Sequence, residues 1–354
     1  MKNLFFLLFL FMGITTFAQK QFVVQNGTAQ SFDDINDAIA AASAGDTLYL
    51  PGGGFYIDPA TIDKTLHWRG VGHYPDSTAA TGHTQITNAV NFTGNCDNST
   101  FEGIYFQTTV TFGSNDDECT GVTMKRCRVW GTLYMRSTTD ISTGAPDLGF
   151  HLTECVTQAL DARYSMNARV EKNLIFSTLN NFNRSFFNHN SLNDYDGYNR
   201  VIRYCENCQF TNNVFGYSYG LYYTYNCNFE NNLFQSTLPY DPTTSTITGS
   251  GNIINIGSGN IYEDISNSAN IYTFSYDNDY HLNTSTTGTD ENGNTGVSIT
   301  GNATDGTNPG VYGTALPYKE GAVPYSPHIQ TANIDNEAVS GNLGVQINVA
   351  AQER

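Results

Sequence analysis

Apolar residues in the middle of the chain fall at alternate positions in short runs, and each run breaks on a small or amide residue before resuming. Cys208-Gln-Phe-Thr-Asn-Asn-Val-Phe215 recurs nineteen residues later as Cys227-Asn-Phe-Glu-Asn-Asn-Leu-Phe234. Looser copies are Val170-Glu-Lys-Asn-Leu-Ile-Phe176, Phe186-Phe-Asn-His-Asn-Ser-Leu192, Leu152-Thr-Glu-Cys-Val156, Met124-Lys-Arg-Cys-Arg-Val129 and Phe101-Glu-Gly-Ile-Tyr-Phe106. Alternation of period two is the signature of a strand. Irregular repeats near twenty residues predict a parallel solenoid, one coil per repeat. Aligning the copies puts Gly103, Cys127, Cys155, Asn173, Asn190, Asn213 and Asn232 in equivalent positions. An asparagine at a sharp bend can hydrogen-bond its counterpart one strand spacing away, about 4.8 Å. Cysteine and glycine fit the same crowded corner.

Before the repeat, Ser31 to Ala42 predicts an amphipathic helix, with Ser31 as cap, acids in the first turn and Phe32, Ile35, Ile39 and Ala42 as its apolar stripe. The stretch from Ala44 to Ile57 reads as turn, strand, turn, strand. A helix here would cover the open end of the core, which otherwise presents unpaired strand edges. Residues 286–325 are rich in Thr, Gly and Asn, and Leu343–Val349 alternates as a last strand. The expected division is therefore a solenoid over residues 19–285 and a C-terminal loop and strand cap over 286–354. Residues 1–18 have the form of a signal peptide: a basic start at Lys2, an apolar run from Leu4 to Phe11, and small or polar residues up to Ala18. They predict a secreted, periplasmic or cell-surface protein with no membrane insertion.

Composition narrows the partners. With 33 acidic against 16 basic side chains the net charge is −17, which argues against nucleic acid, whose phosphates need a basic surface. Glycine (33), tyrosine (22) and phenylalanine (22) suit strands and tight turns. The seven cysteines, an odd number, leave at least one thiol unpaired. Cys205 and Cys208 form a lone CxxC without the second pair that a zinc site needs.

The helix, Gly45-Asp-Thr-Leu-Tyr-Leu50 with the glycines after it, Leu66-His-Trp-Arg-Gly-Val-Gly72 and the Asn-Asn coils together resemble right-handed parallel β-helix proteins of the pectate-lyase-like superfamily over residues 21–285. The resemblance implies an all-β, right-handed parallel β-helix. It specifies activity poorly, because that fold hosts lyases, hydrolases, isomerases, phage spikes and adhesins. The Asn-Thr-Asp, Asp-Asp and Gly-His-Gly motifs of polygalacturonases are not assembled here. Asn115-Asp-Asp-Glu118, Gly72-His73 and Gly82-His83 form no ordered set.

Sugar-acid lyases need a Lys or Arg base and a group that neutralises the substrate carboxylate. Side-chain parity supplies candidates. Placing Leu133, Leu160 and Leu221 inward sends Tyr134 and Arg136, Asp161 and Arg163, and Tyr222 and Thr224 outward. Arg163 and Arg136 are then the expected catalytic pair, with Lys125 as alternative base. Tyr134, Asp161, Tyr222 and Arg128 are the expected substrate-binding residues. By the same parity Tyr223 and Tyr225 share the face of Leu221 and fall in the core. A salt-bridged, solvated sheet face accounts for Arg136, Asp161 and Arg163 equally well.

Oxygen ligands at alternate positions around a glycine make Asp194 and Asp196, in Asp194-Tyr-Asp-Gly-Tyr-Asn199, the candidate ligands of a Ca2+ ion, with Asp290-Glu-Asn-Gly-Asn294 as a second such loop. Neither loop carries the closing Glu, and Asx-rich turns also arise for backbone reasons. The histidines are scattered, with no HExxH. Two functions follow as expectations: a secreted polysaccharide lyase acting on uronate-containing glycan by β-elimination, or a non-catalytic glycan-binding or adhesive solenoid.

Overall fold

In a computed structural model the described residues are 21–350, except 114–116, 140–143, 194–200, 217–220, 236–244, 258–260, 266–272, 322, 324–327, 336–337 and 339–340. The chain is a parallel β-solenoid of about 9 turns, with 42% of residues in strands and 5% helical. Successive coils contribute strands to three faces.

The first face begins at Asp46–Tyr49 and Leu66–Arg69 and continues through Thr100–Glu102, Thr123–Lys125, His151–Thr153, Arg169–Glu171, Phe186–Asn188, Gln209–Thr211 and Cys227–Glu230. The central residue of each strand points inward, so Trp68, Phe101, Met124, Leu152, Val170, Phe187, Phe210 and Phe229 form one buried column. Phe187, Phe210 and Phe229 stack at 4.5 and 4.6 Å between centroids, nearly parallel. Burying each such ring contributes about 2 kcal/mol. The third face aligns Val110, Leu133, Leu160, Leu179, Ile202 and Leu221 inward, as side-chain parity predicts.

The bend between the first and second faces carries the amide ladder. Asn190 Oδ1 accepts from the backbone N and the Nδ2 of Asn173, at 3.0 Å each, and Asn213 does the same for Asn190. Asn232 repeats the pattern below Asn213, and Asn252 extends it by one further coil. The N-terminal end of the alignment shifts by one residue. Register pairs Glu102 with Lys125 and Tyr105 with Arg128, so Ile104 is the equivalent of Cys127. Gly103 instead matches Arg126, the residue before it, where the backbone turns left-handed in both coils (φ 70 and 51°).

From Val156 onward the second face is largely apolar on both sides. Val156, Leu174, Val214, Leu233 and Ile253 point away from the solenoid core into a second cluster formed with Tyr262, Phe274, Tyr280, Leu282, Val311 and Tyr318. The chain after residue 250 therefore covers this face, leaving the outer sides of the first and third faces for ligands. From Asn302 onward it runs back along the left-handed corner. Asn231 Nδ2 donates to the Asn302 carbonyl, Gly310 N to that of Asn212, Lys172 Nζ to that of Leu316, and Arg126 Nη1 to that of Val323. This strap ends in an antiparallel hairpin, His328–Ile334 with Val345–Ala350.

The N-terminal cap differs from expectation in detail. A hairpin, Phe22–Asn26 with Thr28–Phe32, adds antiparallel to Asp46–Tyr49, so Ser31 and Phe32 lie in a strand. The helix is Ile35–Ala41, capped by Asp34, whose carboxylate accepts from the backbone N of Asn36 and Asp37. Lys64 closes its other end by donating to the carbonyls of Ile39 and Ala42. A single disulfide among the described residues joins Cys96 to Cys119, and the other five cysteines are buried free thiols.

Candidate functional site

The sequence-predicted residues divide among all three faces. Tyr134, Asp161 and Tyr222 point outward on the third face, in a column with Asn180 and Arg203. Arg163 follows at the edge of this face. Its guanidinium lies 3.8 Å over the Tyr134 ring, Nη1 donates to the Ser137 carbonyl, and its backbone N donates to Asp161 Oδ1. Asp161 Oδ1 also accepts from Asn181 Nδ2. Arg163, Asp161 and Tyr134 thus form one cluster.

Arg136 does not join them on the surface. It is 3% exposed, and its Nε donates to Glu118 Oε1 at 2.7 Å. Parity misplaces it because its strand ends at Tyr134 and alternation lapses beyond it, Met135 and Arg136 being buried in succession. Arg128 lies on the second face beneath the returning chain. Its Nη1 donates to the Tyr276 hydroxyl, and its guanidinium stands 4.6 to 5.1 Å from the rings of Tyr105, Trp130, Phe274 and Tyr276. Beside it His73 is fully buried, and burial together with the Arg128 charge pushes its imidazole down to about 3. Asp194 and Asp196 lie outside the described residues. In the second glycine loop the Asp290 carboxylate turns inward, accepting from the backbone N of Asn292 and Asn294 and from Asn294 Nδ2.

Beyond Tyr222 the period-two alternation breaks. Tyr223 is left-handed (φ 49°), which rotates its side chain outward to 39% exposure and sends Thr224 inward to 0%. Tyr225 follows outward at 38%. One coil earlier Tyr204 occupies the same corner, also left-handed (φ 53°) and 42% exposed. The result is an aromatic ridge. Tyr204 and Tyr223 stack, Tyr222 meets Tyr223 edge-on at 4.4 Å, and Tyr164, Tyr225 and Glu206 complete a shallow depression of about 210 Å³. A left-handed backbone costs a bulky residue about 1 kcal/mol or more, and Asn181 fills this corner one coil before Tyr204. Tyrosine is therefore held here against local preference.

Lys125, on the first face, lies in a second and larger cleft of about 500 Å³ under the strap, between His151, Glu154, Glu171, Lys172 and Leu316. His151 Nε2 stands 3.2 Å from Glu171 Oε2, and Arg169 Nη2 donates to Glu171 Oε1 at 3.0 Å. The hydrogen bond from His151, with that from Arg169, outweighs desolvation and draws Glu171 down to about 2. Glu154 pairs with the buried Arg126 at 2.6 Å. The cleft thus holds cations and a histidine oriented by a carboxylate, the parts of a proton-transfer site. Parity places Lys125 outward, but the roof comes from residues 314–316, nearly two hundred positions further on.

No family model matches this chain, and no curated protein or solved structure does either.

Proposed function

We propose that the chain is a secreted glycan-binding β-helix akin to the pectate-lyase-like superfamily, holding polysaccharide against the tyrosine ridge of its third face. One observation carries this reading: exposed, near-parallel tyrosine rings on successive coils, kept there at a backbone cost. Flat aromatic rings present apolar faces to the C–H faces of sugars, while their hydroxyls remain hydrated. A stacked pair spanning two coils suits a ligand that extends along the coil axis better than a compact one. The signal-like first 18 residues agree with an extracellular partner.

The test is affinity electrophoresis through gels containing neutral and acidic polysaccharides. Retardation of the wild type that is lost in Tyr204→Ala/Tyr223→Ala supports the reading, and unretarded migration in every gel overturns it.

A lyase reading has its own support, the Lys125 cleft. A β-eliminating enzyme would use Lys125 as the base that removes the proton beside the uronate carboxylate, with Lys172 neutralising that carboxylate. The β glycosidic C–O bond then breaks to leave a C=C bond, and the departing oxygen takes up a proton. Ultraviolet absorbance of the unsaturated product at about 235 nm, measured with and without calcium for wild type, Lys125→Ala and Arg163→Ala, separates the two. Product formation abolished by Lys125→Ala places chemistry in the cleft. Loss with Arg163→Ala alone returns it to the third face, and no product on any uronate polymer leaves the binder.

A further inference from the structure

A side-chain cluster away from both of these surfaces has the composition of a metal site. Asp279 and His281 lie on the strand Asp279–Leu282, two residues apart and so on one side of it. The strap brings Glu320 to them, so that one ligand atom from each residue lies within 4.8 Å of the other two. Two features hold the set in place. The Tyr312 ring stacks on the His281 imidazole, with centroids 3.6 Å apart and planes 11° from parallel. The same Tyr312 donates its hydroxyl to Glu320 Oε1 at 2.7 Å. One tyrosine therefore orients two of the three ligands, the role that outer-shell residues play around bound metals. Asp279 Oδ1 meets His281 Nδ1 at 2.6 Å.

We propose that Asp279, His281 and Glu320 bind a divalent transition-metal ion of the zinc class. One imidazole with two carboxylates is a borderline donor set that suits zinc, cobalt or nickel. Calcium and magnesium prefer all-oxygen shells and more ligands. Three protein donors leave at least one coordination position for water. The consequence is structural as well as chemical, because Glu320 belongs to the strap and the other two ligands to the segment beneath it. A bound ion would clasp the strap to the layer covering the second face. The site depends on neither the ridge nor the Lys125 cleft.

The probes are Zn2+ and Co2+, added to the metal-stripped full-length protein. Zn2+ is expected to raise the melting temperature in a concentration-dependent way. Co2+ is expected to give visible d–d absorption without the thiolate charge-transfer bands that the buried cysteines would produce. His281→Ala should remove both effects, and Glu320→Gln should weaken binding by roughly tenfold or more, the scale of losing a ligand or its outer-shell support. Tyr312→Phe, which keeps the ring and removes the hydroxyl bond to Glu320, should weaken it less. A melting temperature that ignores Zn2+, an equal response to Ca2+, or Co2+ absorption that persists in His281→Ala overturns the proposal. Should His281→Ala fold poorly, His281→Gln with Co2+ absorption gives the same decision.

Discussion

Tyr204 and Tyr223 stand at the same corner of consecutive coils with ring centroids 5.6 Å apart and planes 7° from parallel. Both have left-handed backbones, and both are about two-fifths exposed. The separation is close to one strand spacing, so the coil repeat itself sets the stack. A core requirement does not explain it, because neither ring is buried. Removing the rings should therefore affect ligand binding more than folding.

Each ring is expected to contribute about 1 kcal/mol to polysaccharide binding, the scale of an aromatic contact. Tyr204→Ala and Tyr223→Ala should then each weaken affinity roughly fivefold. Their melting temperatures should stay near that of the wild type. Tyr223→Asn is a sharper variant, since asparagine relieves the left-handed backbone while removing the platform. A more stable protein with weaker glycan binding is the expected result, read by calorimetry alongside affinity electrophoresis.

The amide ladder should fail from the middle. Asn213 Oδ1 accepts two hydrogen bonds from Asn190, and its Nδ2 donates to the Phe187 carbonyl and to Asn232 Oδ1. Asn213→Ala leaves several of these buried groups without partners, each costing about 1–3 kcal/mol. Asn252→Ala, at the end of the ladder, strands fewer and should cost less. Urea unfolding of the two variants measures the difference, and equal losses would show that the ladder has no central dependence.

Much of this architecture is legible in local sequence, and the reasons for the exceptions are local too. Phe210, Asn213 and Phe215 recur as Phe229, Asn232 and Phe234 because the coil imposes the same inward positions on each pass. Asn252 escapes because its coil carries Gly249 and Ile254 where the coil before it has Phe229 and Phe234. Parity holds for Tyr134, Asp161 and Tyr222, which lie within extended strands. It fails at Tyr223 and Thr224, because a left-handed residue rotates everything after it and only a glycine or asparagine would announce the turn. Arg128 reads as a surface residue since its cover, Tyr276, lies 148 positions away. The Asp279–His281–Glu320 set is hidden for the same reason: its third member arrives on the strap.

Acid should destabilise the fold in two stages. His73 is held near 3 when folded against 6.5 as its ordinary value, so the unfolded chain binds the extra proton between those limits. Its contribution is complete above pH 6.5 and lost as pH falls toward 3, with a slope of about 1.4 kcal/mol per pH unit. Glu171, held near 2 against 4.5, contributes fully above pH 4.5 and loses that contribution as pH falls through 2. Urea midpoints measured from pH 7 to 3 should fall throughout. His73→Phe should flatten the upper part of the curve and leave the lower part, and an unchanged curve would contradict a buried neutral imidazole.

The strap should loosen when its deepest anchor is cut. The Arg126 side chain is fully buried. It donates through Nε to Glu154 Oε2 at 2.6 Å and through Nη1 to the Val323 carbonyl at 2.7 Å. Glu154→Ala leaves that guanidinium buried without its close carboxylate, a change that costs about 3–5 kcal/mol. Arg126→Met keeps much of the apolar stem and removes the charge, so that among the described residues Glu154 retains only Lys172 as an ion-pair partner, at 3.9 Å. Both variants release Val323 from its donor or weaken the donor's hold. Hydrogen exchange should therefore rise over residues 301–323 before it rises in the first-face strands. A uniform rise across the solenoid would show instead that strap and coils unfold as one unit.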